Sequence, residues 1–256
     1  MSGRTLRTEG VSASHVGMVR RTNEDSFCDR SADGLWAVAD GMGGHAHGDW
    51  ASQVLTRALA DAALPEDFDE ACRQIAAAIH AGNAQIWAEA QAREQQMGST
   101  VAVLLVRDGR FGVIWVGDSR AYLLRAGMLY QLTRDHTQVQ ELVDRGLLEP
   151  HEALSHPRAH VLARAVGVTA TLEVDVVVDA AEAGDVFLLC SDGLTGQVSD
   201  PELTTMLAAP HGKAQIRDRL IALTLERGAP DNVTVIVVGT GEPTLLSVSP
   251  MPGGFA

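Results

Sequence analysis

Residues 99–118, STVAVLLVRDGRFGVIWVGD, hold two apolar, β-rich runs separated by an Asp-Gly pair. Asp-Gly is a strong signal for a tight two-residue turn, so the runs fold back on one another as an antiparallel hairpin. Residues 121–133, AYLLRAGMLYQLT, repeat the arrangement around Ala-Gly. Two hairpins in succession commit the middle of the chain to antiparallel pairing. The strict βαβα alternation of a doubly wound parallel fold is missing, and so is its GxGxxG.

The flanks add helices. A short apolar strand, LWAVA, spans 35–39. Across 48–64, Ala51, Val54, Leu55, Ala58, Leu59 and Ala62 recur at helical spacing. A second helix begins near Pro65 and carries Phe68, Cys72, Ile75, Ile79, Gly82 and Ile86 at steps of four and three. Two such helices pack as a hairpin on a flat partner, which the β-hairpins supply. Further on, the spacing predicts a helix over 136–148, with Val139, Leu142, Val143 and Leu147 on one side. Residues 149–170, with Pro150, Pro157 and three histidines, read as irregular. Strands LEVDVVV and DVFLLC, helices around 200–208 and 213–227, and a last strand, NVTVIVV, complete the order. Strands meeting in hairpins, with helices segregated outside, predict an α+β layered fold. Residues 1–241 read as one domain, and the Pro/Gly-rich stretch 242–256 as a loosely held tail.

Composition sets the limits. The chain of 256 residues is 46% hydrophobic, enough to build a large core. No apolar run is long enough to cross a bilayer, and the N-terminal MSGRTLRTEG has no apolar stretch behind its basic residues, so it is not a secretory signal. Cys28, Cys72 and Cys190 have no CxxC spacing and read as free thiols of a reducing compartment. The expectation is a soluble, cytoplasmic protein. The formal charge is −13 and Lys213 is the only lysine, so nucleic acid is not an expected partner. Carboxylates gathered in one place would instead need a cation.

The carboxylates do gather in pattern. Asp40 ends LWAVAD, Asp118 ends FGVIWVGD, Asp192 ends VFLLCSD, and Asp231 begins DNVTVIVV. Between antiparallel neighbours, the end of one strand lies beside the beginning of the next, so all four can converge on one edge. An aspartate after a strand is, taken singly, a turn former or helix cap. Four together repel, and such a site persists when divalent cations neutralise it. Hard oxygen donors suit Mg²⁺ or Mn²⁺ rather than Zn²⁺. Two such ions about 3.5–4 Å apart can activate a water between them. Arg20 and Arg21 stand just before Glu24 and Asp25. Arg20 alone would pair with Glu24, but an arginine fork beside a dimetal centre also fits phosphate oxygens, which implies phosphoester hydrolysis.

At this point eight segments match one family in order: RRTNED (20–25), VADGMGGHAHG (38–48), GSTVAVLLV (98–106), VGDSRAYLLR (116–125), TRDHT (133–137), LARAVG (162–167), LLCSDGLT (188–195) and DNVTVIVV (231–238). The chain resembles the metal-dependent PP2C-type (PPM) serine/threonine protein phosphatases, in particular the compact bacterial members, over residues of about 10 to 240. The resemblance implies a four-layer αββα sandwich of two antiparallel sheets between helix pairs. It implies that Asp40 bridges two metals, that Gly41 gives its carbonyl to one, and that Asp192 and Asp231 complete the other. Asp118, sharing Asp192, resembles the ligand of a third metal. Glu24 and Asp25 resemble acids that orient metal-bound waters, and Arg20 matches the phosphate-binding arginine, with Arg21 off register. His45 lies where the family keeps a histidine proposed as general acid, with His47 a solvent-exposed bystander. Residues 149–170 match the family's variable flap, where His156 and His160 could reach the third metal or the substrate. Asp135 and His136 are expected to stabilise a turn, and Arg120 to be a buried ion-pairing or hydrogen-bonding residue near the site.

The expected activity is therefore hydrolysis of phosphoserine and phosphothreonine on proteins by a monomer opposing a bacterial Ser/Thr kinase. Two alternatives stand beside it: a dimetal hydrolase of small phosphoesters, and a non-catalytic regulatory module. The second would be expected to have lost metal ligands, which this chain retains.

Overall fold

The structure is a computed structural model that describes residues 6–43, 47–153 and 156–243. Its elements are β1 (Arg7–His15), β2 (Asp25–Arg30), β3 (Leu35–Met42), α1 (Gly48–Asp61), α2 (Phe68–Arg93), β4 (Gly98–Ser99), β5 (Val101–Arg107), β6 (Arg110–Val116), β7 (Arg120–Arg125), β8 (Met128–Gln131), α3 (Gln138–Asp144), α4 (Pro150–Ala153), β9 (Asp175–Ala180), β10 (Val186–Cys190), α5 (Asp192–Thr195), α6 (Asp200–Leu207), α7 (Lys213–Glu226) and β11 (Val233–Gly241). One sheet has the order β1-β11-β10-β7-β8; the other runs β2-β3-β5-β6-β9, with β4 paired to the end of β3. Every pairing is antiparallel. The two sequence hairpins are β5–β6 and β7–β8, and their turn residues take the positive φ such turns require: Asp108 53° and Gly109 70°, then Ala126 50° and Gly127 80°.

Three apolar layers order these parts. Along β5, Val103 and Leu105 face Leu55, Leu59, Ile75 and Ile79 of α1 and α2. The alternate residues Ala102 and Leu104 face the other sheet, meeting Leu123, Phe187, Leu189 and Ile236. Phe111 and Phe187 meet there edge to face, with ring centroids 5.0 Å apart. On the far side of the second sheet, Leu188 and Val237 pack on Leu203 of α6 and Leu220 of α7. A strand buried on both faces needs cover on both faces, so the layers stack as helices, sheet, sheet, helices. The αββα order implied by the family resemblance is the one found.

Some elements differ from expectation. The sequence reading assigned no strand to residues 7–15 or 25–30. RTEGVSASH has no clear apolar alternation, and β1 exists because all nine of its residues pair along β11, from Arg7 opposite Gly241 to His15 opposite Val233. The predicted helix over 136–148 is shorter: α3 ends at Asp144, Gly146 turns the chain at φ +67°, and Leu147 is 69% exposed rather than packed. The strand predicted at LEVDVVV begins only at Asp175. Among the described residues of 149–170 the only helix is the four-residue α4. Most of the predicted tail, residues 244–256, lies outside the described residues.

The topology fixes where the acids go. β3 and β6 both pair antiparallel with β5, so their C-terminal ends share one edge. β10 and β11 are antiparallel neighbours, so the end of one lies beside the start of the other. Because Leu104 is fully buried between the sheets, Leu104→Ala is expected to lower unfolding free energy by about 2–5 kcal/mol in urea denaturation; a loss under about 1 kcal/mol would contradict this packing.

Candidate metal centre

Asp40 and Gly41 lie within β3, Asp118 just beyond β6, Asp192 at the start of α5 after β10, and Asp231 just before β11. All five line one cleft of about 930 Å³, together with Arg20 and Glu24. Asp25 sits behind the cleft, 8% exposed, directly opposite Asp40 in the β2–β3 pairing. His45 lies outside the described residues. His47 is half-buried at the N-terminus of α1, where its carbonyl accepts the Ala51 N–H.

Asp40 and Asp118 are placed through the backbone. The Asp40 N–H donates to Thr100 Oγ1 at 3.1 Å, and its carbonyl accepts from the Thr100 N–H at 2.8 Å and the Ser99 hydroxyl at 2.9 Å. The Gly41 N–H donates to the Glu24 carbonyl at 3.1 Å. A Cβ on Gly41 would overlap the Gly48 carbonyl, so glycine here is what lets α1 start against the strand. Gly117, at φ +103°, precedes Asp118 and is clasped by one residue: its N–H donates to His136 Nδ1 and its carbonyl accepts the His136 N–H, both at 3.0 Å. His136 Nδ1 is thus an acceptor, which leaves the proton on Nε2, 3.2 Å from Asp175. Asp135 pairs with Arg120, as expected, through two bonds of 2.9 and 2.7 Å.

Asn232 was assigned no role by sequence, yet it joins the parts. Its side-chain amide donates to the carbonyls of Val16 (2.9 Å) and Thr22 (3.0 Å), and its side-chain oxygen accepts the Glu24 N–H (2.8 Å). Ser99, Thr100, Ser191 and Thr234 were missed for the same reason. A hydroxyl residue in an apolar strand carries no sequence mark of what it will face. Asp49, in the first turn of α1, and Arg21 also line the cleft.

Arg20 does not pair with Glu24. Its Nη2 lies 2.7 Å from Asp231 Oδ2, and the guanidinium remains half exposed. The Glu24 carboxyl instead accepts from the Gly48 N–H at the start of α1; burial holds its pKa above the ordinary value. In the flap, His160 Nδ1 stands 3.5 Å from Asp192 Oδ2, and Asp118, His160 and Asp192 bring ligand atoms within 4.8 Å of one another. The hydrogen bond to Asp192 raises the His160 pKa. His156 is elsewhere, lining a separate groove beside α3.

Burial and crowding dominate the electrostatics. Burial, then the charge of Asp25 and Asp192, holds the Asp40 carboxyl well above the carboxylate range. Burial, then Asp192, pushes Asp118 up to about 7. Asp25 is likewise pushed up to about 7 by burial, although Ser191 and Thr234 hydroxyls donate to its Oδ2 at 2.7 Å each. Its Oδ1 is buried with no hydrogen-bond partner. An orphaned carboxylate oxygen behind four converging aspartates is what a site shaped for hard divalent cations leaves when protein atoms alone are counted.

The protein phosphatase 2C family profile matches residues 10–220. The serine/threonine protein phosphatase PstP of Mycobacterium tuberculosis is 43% identical over 235 residues, covering 91% of this chain. The chain spans 45% of that protein's length, about half. The serine/threonine phosphatase stp of Listeria welshimeri is 36% identical over 87% of this chain and 92% of its own length. Among solved structures, the catalytic domain of PstP in complex with two manganese ions superposes with a TM-score of 0.82 at 41% identity, covering 93% of this chain and all of that one.

The raised acids carry a testable sign. Asp25 and Asp118 bind protons more tightly folded than unfolded, so the stability they contribute is full below about pH 4 and is lost as pH rises through about 7. In chelator, unfolding free energy is expected to fall between pH 5 and 8. Millimolar MnCl₂ is expected to flatten or reverse that slope, because cations replace the protons. Parallel pH profiles with and without Mn²⁺ would refute the assignment.

Proposed function

The chain belongs to the protein phosphatase 2C family, and on that footing we propose that it is a Mn²⁺- or Mg²⁺-dependent phosphatase acting on phosphoserine and phosphothreonine in proteins. The observation that carries this reading is the meeting of Asp40, Asp118, Asp192, Asp231 and Arg20 in one cleft. In this reading Asp40, the Gly41 carbonyl, Asp192 and Asp231 would together hold two ions. Asp118, with Asp192, holds a third. When bound, the ions supply neutralisation of the carboxylates and a water acidic enough to act as nucleophile near neutral pH.

The chain's own residues do the rest. Arg20 exchanges Asp231 for the non-bridging phosphoryl oxygens, which match its fork. Glu24 and Asp25 accept hydrogens from the surrounding waters and fix their orientation. His45 gives a proton to the departing serine or threonine oxygen, a contribution of about 10²–10⁴ in rate. Water is the nucleophile, so no phosphoenzyme forms.

The substrates in this reading are phosphoproteins made by a cognate Ser/Thr kinase, and the enzyme works as a cytoplasmic monomer. Three unpaired cysteines agree with a reducing compartment, and among the described residues no helix is long and apolar enough to cross a membrane.

Replacing Asp40 by Asn or Asp231 by Ala is expected to cut Mn²⁺-dependent release of phosphate from a phosphothreonine peptide by at least about 10³-fold. Arg20→Ala is expected to act mainly on KM. Turnover within tenfold of wild type in either aspartate variant would sink the metal-ligand roles.

A further inference from the structure

A smaller recess of about 340 Å³ opens beside the metal cleft and shares three of its walls, Met42, Gly43 and Leu162. Its remaining surface is largely Met97, Val161, Ala165 and Val168. Arg164 also borders it, but the guanidinium is drawn to Asp175 at 2.7 Å. The charged cleft thus gives directly onto apolar space, where water is readily displaced by an apolar group. Met42, half-buried on the shared wall, can conform to more than one shape of guest.

The recess stands in fixed register with the phosphoryl site. Leu162 pairs with Thr137, the Ala163 N–H donates to the His136 carbonyl, and the Gln138 N–H to that of Val161, both at 2.8 Å. His136 is the residue that clasps Gly117 beside Asp118. On the other wall, Ser99 and Val166 exchange backbone bonds of 3.0 and 2.8 Å, while the Ser99 hydroxyl holds the Asp40 carbonyl. The elements that position two of the acids therefore also position the recess. A peptide threading the cleft advances about 3.3 Å per residue, so side chains one to three positions from the phosphorylated residue come within reach.

We propose that this recess is a specificity subsite that takes one apolar side chain, of leucine, methionine or valine size, one to three residues from the phosphorylated serine or threonine. The inference rests on the phosphatase reading above. Its occupant follows from continuity: the opening shares its walls with the cleft that receives the phosphoryl group, so a chain already bound there is the group placed to fill it.

The test uses the full chain with Mn²⁺ and a panel of phosphothreonine peptides. Alanine fills the three positions on each side, and leucine replaces each alanine in turn. p-Nitrophenyl phosphate, which has no flanking residues, serves as reference. Leucine at one position is expected to raise kcat/KM about tenfold over alanine, mainly through KM. Val168→Asp, which puts a charge in the recess, is expected to bring that ratio to about one with p-nitrophenyl phosphate turnover unchanged. Val161→Glu repeats the test at a position already 40% exposed, should the first variant fold poorly. Peptides hydrolysed equally whatever flanks them, or a preference that survives both substitutions, overturn the subsite and leave the phosphatase reading intact. Hydrolysis of p-nitrophenyl phosphate with no peptide accepted overturns the phosphoprotein reading and the subsite together.

Discussion

Like charges forced together are the constraint from which the rest of this structure follows. Asp25, Asp40 and Asp118 all resist ionisation, and each is raised further by a neighbouring aspartate. Left to themselves, such groups would swing apart into water. Asp40 and Asp118 are kept from doing so by β3 and β6, whose other residues are almost all buried on both faces, and Asp25 by its pairing opposite Asp40. The backbone at Asp40 and at Gly117, before Asp118, is further fixed: the Asp40 N–H donates to Thr100 Oγ1, the Asp40 carbonyl accepts from the Ser99 hydroxyl, and the Gly117 N–H donates to His136 Nδ1. Core packing supplies the rigidity that holds the electrostatic conflict in place, and the conflict in turn gives the site its demand for cations.

How far this was legible from sequence depended on the residue. Val103 and Leu104 declared a strand by composition, and Asp108-Gly109 declared the turn that follows. The acids were visible because each interrupts an apolar run. β1 was not, since its serines and glutamate show no clear apolar alternation and its existence rests on pairing with residues more than two hundred positions away. Asn232 hid beside Asp231 because an amide's three partners, Val16, Thr22 and Glu24, are brought together only by the fold. Leu147 failed for the opposite reason: helical spacing is a local property, and Gly146 ends the helix before it arrives. His136 was expected to stabilise a turn. It does more, because its ring reaches both Gly117 and Asp175.

The same framework would divide the proposed enzyme into a part that does chemistry and a part that recognises. The acids proposed as ligands lie on the central strands and their immediate ends, where any shift disturbs the core. The Val161–Ala163 ridge lies outside that core, yet is fastened to it through His136 on one side and the buried Ala165–Val166 pair on the other. Side chains facing the recess can therefore change while their distance from the phosphoryl site stays set.

β11 has one more implication. It is the last strand of the sandwich, yet it lies in the interior of its sheet between β1 and β10, and it brings Asp231 and Asn232 with it. On the ribosome, β1 emerges early and has no place to dock until β11 has been made. The first sheet and the ion-binding acids are therefore completed in the same late event. A nascent chain stalled before that point would carry an unclosed sheet edge together with an incomplete cluster of acids, and so would expose an edge for aggregation before the cleft is formed.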